Sequence, residues 1–143
     1  MFDPNEVLIN KIKEKGGFVN AHAHFDRAFT VTNDNMHEVV NYHLFDKWKF
    51  VDKFKREATT GTYMHNILNA IRAQKSFGVH GAMTFVDVDS VCGFKALVAA
   101  HEAKSIALGS GFVLKICSQA LKGVISPKEN ALLRRALEMN LLD

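Results

Sequence analysis

Two histidines separated by one residue, His22 and His24, are the residues of this chain whose types and spacing most clearly suggest chemistry. They end a short apolar run, and an acidic residue, Asp26, follows two positions later. Side chains at positions i and i+2 of a strand point to the same side, so two neutral imidazoles there can bind one metal ion. The alternative is a pair of surface histidines where the strand meets its loop. Spacing alone leaves both interpretations open.

Short apolar runs bounded by glycine are typical of buried parallel strands and would place these histidines at a strand end. The runs predict strands near residues 18–22, 83–88 and 112–117, and Leu141-Leu142 predicts the start of a fourth strand. Helical patterns flank them at residues 6–15, 62–77, 93–108 and from Ser126, which with Glu129 has the pattern of a capping box. Repeated strand–helix units favour an α/β fold with a parallel sheet. The carboxyl ends of such strands are where α/β enzymes place their active sites.

An unusually long stretch separates the first two predicted strands. It contains a lysine-rich amphipathic segment from Leu44 to Arg56, which we interpret as a helix with a solvated basic face rather than an anion site. Trp48, Val51 and Phe54 are predicted to form its buried side. Long insertions at this place in α/β folds often cover the active site, so the segment is a candidate lid.

Length and composition exclude several classes of protein. With 143 residues, 48% of them hydrophobic and 23% charged, residues 1–143 are interpreted as a single globular segment, either one domain or part of a larger one. The net charge of +3 is too small to indicate a nucleic-acid partner, and neither a membrane span nor a signal sequence is evident. Two cysteines in no C-x-x-C pairing predict reduced thiols in a cytoplasmic protein.

The sequence around the two histidines resembles the first-strand motif of the amidohydrolase superfamily, specifically its cytosine-deaminase-like branch. Residues 18–30, FVNAHAHFDRAFT, match that branch's apolar strand ending in H-x-H-[LF]-D. Residues 84–89, TFVDVD, are similar to its second-strand T-H-V-D-V, with Phe85 replacing the histidine, and residues 116–123, ICSQALKG, resemble its third-strand V-A-F-P-Q-x-G. The resemblance runs from Phe18 through the helix at 130–137. It implies the N-terminal part of a (β/α)8 TIM-type barrel.

The resemblance also implies roles for individual residues. His22 and His24 match the first two ligands of a divalent metal ion, for which zinc and iron suit imidazole. Gln119 matches an amide that contacts the heterocyclic substrate, although a glutamine capping a strand end is an equal alternative. No catalytic acid or base is expected in this chain, because the family takes it, and the remaining ligands, from later strands.

Two acidic residues near the predicted strand ends have less specific roles. Asp26 could orient the first-strand loop or a metal ligand, or simply cap that loop. Asp87 could line the pocket or pair with Arg27.

The implied function is hydrolytic deamination, or related C–N bond cleavage, of a small nitrogen heterocycle by a metal-activated water. The expected partner is that small molecule, with no nucleic acid and no membrane. Two alternatives are a non-catalytic truncated barrel remnant that self-associates and a metallophosphoesterase with an H-x-H strand. The 143-residue chain alone is expected to be incomplete and inactive, and to pair with a second copy or a missing C-terminal segment.

Overall fold

A computed structural model describes residues 3–143 of the chain. Its strands are β1 (Phe18–Ala23), β2 (Val79–Asp87) and β3 (Val113–Gln119), and a short 3-10 helix spans Phe25–Arg27. Its helices are α1 (Pro4–Glu14), α2 (Met36–Val39), α3 (Leu44–Glu57), α4 (Thr60–Ser76), α5 (Lys95–Gly109) and α6 (Pro127–Glu138). In this described part of the chain, none of the helices has the length and apolar character needed to cross a membrane.

The three strands form one sheet in the order β1-β2-β3, and both pairings are parallel. Parallel neighbours require long crossovers, and α4 and α5 provide them between successive strands. The predicted α/β fold, with three parallel strands and flanking helices, is confirmed. The closed barrel stays a prediction.

One face of the sheet is buried against α4 and α5. Positions paired across parallel strands lie on the same face, and the pairs Ala82–Leu114 and Thr84–Ile116 are all buried there. The opposite face is exposed to solvent at the amino-terminal ends of its strands, where Val19 is 63% and Val113 48% exposed. The continuous apolar runs of the strands predict burial on both faces of the sheet. Within residues 3–143 this prediction holds for the helix-covered face only.

The predicted lysine-rich helix is present as α3, but two expectations about its faces are wrong. Trp48 is 50% exposed rather than buried, whereas Lys55, expected on the solvated basic face, is fully buried. The end of α3 is fixed by Lys95, whose Nζ donates to the carbonyl oxygens of Lys55 at 2.9 Å and Ala58 at 2.6 Å. A lysine that caps free carbonyls in this way holds the C-terminal end of α3 against the start of α5.

The predicted capping box at α6 does not form. The Ser126 side chain makes no capping hydrogen bond. The Glu129 carboxylate instead accepts the Ser90 N–H at 3.1 Å and is buried, which ties α6 to the loop after β2. A capping box exists at α4, between Thr59 and Thr62.

Residues 141–143 lie along the free edge of β3, although they are not assigned to a strand. The Asp143 N–H donates to the Ile116 carbonyl at 2.9 Å, and the Ile116 N–H donates to the Asp143 carboxylate at the same distance. A fourth strand starting near 141 therefore stays a prediction.

Candidate metal and substrate site

The side chains of His22 and His24 converge at the carboxyl end of β1. Their Nε2 atoms are 3.2 Å apart and their rings are edge to face. An irregularity in the β1–β2 pairing lies between Asn20 and Ala23, and such bulges re-aim side chains. Two nitrogens that each bind one tetrahedral ion at about 2.0–2.1 Å lie about 3.3 Å apart. The two imidazoles therefore fit a shared metal ion.

Phe85 on β2 supports both histidines. Its ring stacks on His22, with centroids 4.6 Å apart and planes 28° from parallel. Its carbonyl oxygen lies 3.1 Å from His24 Nδ1. A histidine whose Nδ1–H donates to a carbonyl presents the lone pair of Nε2, which is the arrangement that binds metal. Phe85 appeared in the sequence as a departure from the family pattern, and its position gives it a supporting role.

Arg27 connects His24 to the substrate-contact candidate Gln119. Its Nη2 lies 2.8 Å from His24 Nδ1 and donates to Gln119 Oε1 at 3.3 Å. His24 Nδ1 faces a donor, Arg27 Nη2, and an acceptor, the Phe85 carbonyl oxygen. A protonated Nδ1 can donate to Phe85, and an unprotonated Nδ1 can accept from Arg27. Burial, and then the Arg27 charge, lower the pKa of His24, which favours the neutral, ligating form of its ring.

Asp26 is fully buried and joins the loop after β1 to the end of β2. Its Oδ2 accepts the Asp87 N–H at 3.0 Å. Burial, followed by the nearby Asp87 carboxylate, raises the pKa of Asp26 to about 6. Asp87 itself lies with its Oδ2 3.8 Å from Arg27 Nε. The Asp26 carboxylate therefore links the loop after β1 to the end of β2, and the Asp87 carboxylate lies beside Arg27.

Lys55 is the residue of this region that sequence analysis missed. Its Nζ is 3.1 Å from Asp87 Oδ2 and is also hydrogen-bonded to the Asp89 carboxylate, and all three side chains are buried. Although burial opposes its charge, the hydrogen bond to Asp89 and the Asp87 carboxylate hold the pKa of Lys55 above its ordinary value. The sequence does indicate this burial, because Lys55 lies four residues after Val51 and so continues the apolar stripe of α3.

These contacts bring together all the predicted site residues. His22 and His24 are the candidate metal ligands, Gln119 and Arg27 present an amide and a guanidinium beside them, and Asp26 and Asp87 are buried nearby. Residues 3–143 contain no cluster of three or more His, Cys, Asp or Glu side chains able to hold a metal ion. The described residues thus include two candidate metal donors, His22 and His24, but no cluster of three.

Comparison with known proteins relates this arrangement to hydrolases. No protein-family model matches the chain. An uncharacterized protein of Haemophilus influenzae is 41% identical over 118 residues, which are 82% of this chain and 42% of that protein. The N-isopropylammelide isopropyl amidohydrolase of a Pseudomonas species is 29% identical over 126 residues, which are 86% of this chain and 31% of that enzyme.

The fold is similar to that of a solved deaminase. The crystal structure of 5-methylcytosine deaminase from Klebsiella pneumoniae with 5-fluorocytosine matches with a TM-score of 0.75 and 27% identity. The match covers 87% of this chain and 30% of the deaminase, and the complex with phosphonocytosine gives 0.74. These likenesses support membership of the amidohydrolase superfamily. The chain spans less than half the length of the relatives that it matches.

Proposed function

We propose that this chain provides the first-strand metal ligands of an amidohydrolase in the cytosine-deaminase-like branch, as the N-terminal part of its barrel. The enzyme would hydrolyse a C–N bond of a small nitrogen heterocycle, most simply by deamination. The observation that carries this proposal is the convergence of His22 and His24, with Nε2 atoms 3.2 Å apart, beside the amide of Gln119.

Each residue of the site has a chemical task in this reaction. A divalent ion, zinc or iron, supplies an activated water when bound. His22 and His24 bind that ion, and the Phe85 carbonyl orients the His24 ring. The Gln119 amide can both donate to and accept from a heterocycle, whereas the Arg27 guanidinium only donates. Together they suit a ring that carries a carbonyl oxygen and a ring nitrogen.

The names of the related proteins favour C–N hydrolysis over phosphoester hydrolysis. The Pseudomonas relative is named an amidohydrolase of N-isopropylammelide, and the Klebsiella structure is that of a 5-methylcytosine deaminase. Both names describe hydrolysis at nitrogen on a heterocyclic ring. They support the same reaction class for this chain.

Two imidazoles are fewer than the three protein ligands that catalytic zinc sites usually have. We therefore expect the isolated 143-residue chain to release no ammonia from cytosine in the presence of zinc. An enzyme-coupled ammonia assay measures this directly. Turnover by the isolated chain would contradict the view that further ligands and an acid/base come from outside it.

Zinc titration by calorimetry tests the metal site. We expect the unaltered chain to bind one zinc ion weakly, and His22→Ala and His24→Ala each to lower the affinity about tenfold or more. His101→Ala, which removes an exposed histidine of α5, is the matched control and should bind as the unaltered chain does. Equal affinity in all four proteins would reject the site.

A further inference from the structure

A cavity lies next to Arg27, the residue that contacts His24 and Gln119. It has a volume of about 330 Å³ and is lined by α3 and by residues that follow β1 and β3, namely Arg27, Trp48, Val51, Asp52, Leu121 and Lys122. This volume is at the lower end of the range for ligand pockets, about 300–1,000 Å³. It therefore has room for a small group rather than for a whole large ligand.

The chemistry of its walls is mainly apolar. Trp48, Val51 and Leu121 contribute apolar side chains. Two of the three charged residues neutralise each other, because Lys122 Nζ donates to the Asp52 carboxylate at 2.5 Å and so joins the two walls. Arg27 is then the remaining charged residue of the lining.

Arg27 both lines this cavity and contacts residues of the candidate active site. The same guanidinium contacts His24 Nδ1 and Gln119 Oε1, at 2.8 and 3.3 Å. A molecule whose polar ring lies at Arg27 and Gln119 can therefore extend an attached group toward Trp48 and Leu121.

The wall formed by α3 is held in place from below. Lys55 anchors the helix to the aspartates at the end of β2, and Lys95 caps its last carbonyls. Trp48 and Val51 lie on the same stripe of α3 as Lys55. The α3 wall of the cavity is therefore fixed by buried contacts.

We propose that this cavity binds an apolar substituent carried by the heterocyclic substrate, so that Trp48, Val51 and Leu121 determine specificity. The substituent would have about three to six carbon atoms, a size suited to a cavity near the lower end of ligand-pocket volumes. The inference rests on the proposed function, since the ring that carries the substituent is the one placed beside His22 and His24.

Trp48 is the only tryptophan of the chain, so its fluorescence reports directly on this cavity. The experiment titrates the 143-residue protein with cytosine and with N4-isopropylcytosine, a pair that differs by one apolar group. We expect N4-isopropylcytosine to bind about tenfold more tightly, given the apolar surface that the isopropyl group buries. Leu121→Phe fills the cavity with a larger ring. In this variant the ratio of the two affinities should fall from about tenfold to about twofold or less.

Controls separate this inference from a general effect. Leu137→Phe makes the same change on an exposed position of α6 and should keep the tenfold preference. Val51→Met narrows the cavity from the opposite wall and should lower the preference as Leu121→Phe does. Equal affinity for the two compounds, or an unchanged preference in both cavity variants, would overturn the inference.

The experiments distinguish failure of this inference from failure of the proposed function. Loss of the isopropyl preference with zinc still bound at His22 and His24 rejects the cavity and leaves the proposed function intact. A preference that depends on Leu121, in a protein that binds no zinc, supports the cavity and rejects the metal site.

Discussion

At the end of β2 two aspartates, Asp87 and Asp89, are buried within reach of a single ammonium group, that of Lys55. A buried carboxylate costs several kcal/mol in lost hydration, and a paired cation offsets much of that cost. Lys55 therefore stabilises the end of β2, which lies beside the end of β1 where the histidine pair and Arg27 are found.

Replacing Lys55 with methionine keeps most of its length and removes the charge. We expect Lys55→Met to lower the free energy of unfolding by about 3–5 kcal/mol, because it leaves the buried Asp89 carboxylate without a cation. Urea denaturation followed by circular dichroism measures the change. The neighbouring Lys53 is exposed, and Lys53→Met should stay within about 0.5 kcal/mol of the unaltered protein. Similar small losses in both variants would show that the buried ion pairs contribute little.

Some site residues could be identified from sequence and others could not. The i, i+2 spacing of His22 and His24 identifies the pair, but His24 lies just after β1, and the irregularity between Asn20 and Ala23 has no sequence signal. The contact of Phe85 with His22 depends on the register between β1 and β2, which no local pattern reveals. By composition Lys55 is one more lysine of a solvated basic helix, and only its position on the apolar stripe of α3 indicates that it is buried.

Among the elements, the strands and the long helices were predictable because their apolar residues repeat regularly. The cap of α6 was not, because Glu129 bonds Ser90 on a distant loop instead of its own helix terminus. Residues 141–143 show a further tertiary effect. The Asp143 carboxylate accepts hydrogen bonds from Lys104 at 2.6 Å, Lys115 at 3.1 Å and the Ile116 N–H, and so holds this segment beside β3.

Because of these contacts, we expect the stability that residues 141–143 contribute to depend on pH. Although partial burial acts in the opposite direction, the Lys104 and Lys115 ammonium groups and the Ile116 N–H lower the pKa of Asp143 from 3.8 to about 2. A carboxyl with a lowered folded-state pKa stabilises the fold above its unfolded-state pKa, and the stabilisation disappears as pH falls from about 4 to 2. Because the pairs are near the surface, we expect the effect to be about 1 kcal/mol or less.

Urea midpoints measured between pH 5 and pH 2 test this expectation. The Asp143→Asn variant should be less stable than the unaltered protein at pH 5 and should converge with it near pH 2. Asp34→Asn, at an exposed carboxylate in the loop before α2, is the control and should follow the unaltered protein throughout. A constant gap between Asp143→Asn and the unaltered protein would assign the role of Asp143 to something other than its charge.

At the scale of the whole molecule, helices cover one face of the sheet. The other face is exposed at the amino-terminal ends of the strands. Phe18, Val19 and Val113 are each about half exposed or more, and β1 and β3 are the edge strands of the described sheet. Exposed apolar surface next to unpaired strand edges promotes association. Pairing of the chain with a second copy or with further barrel strands stays a prediction that rests on this surface.

Size-exclusion chromatography with light scattering tests for pairing with a second copy. We expect the average mass to rise above the 16.0 kDa of one chain as concentration increases. Val19→Lys places a charge on the open face and should return the protein to a monomer. Leu108→Lys changes an exposed leucine at the end of α5 and should associate as before. A monomer at every concentration would indicate that the open face does not pair with itself.

The claim that His22 and His24 bind one metal ion is tested most directly by X-ray absorption spectroscopy of the zinc-loaded protein. Scattering from imidazole rings counts the histidines bound to zinc and gives their distances. We expect two imidazole nitrogens at about 2.0–2.1 Å in the unaltered protein and one in either His22→Ala or His24→Ala. A zinc environment with no imidazole scattering, or with two imidazoles retained in both variants, would contradict the shared site.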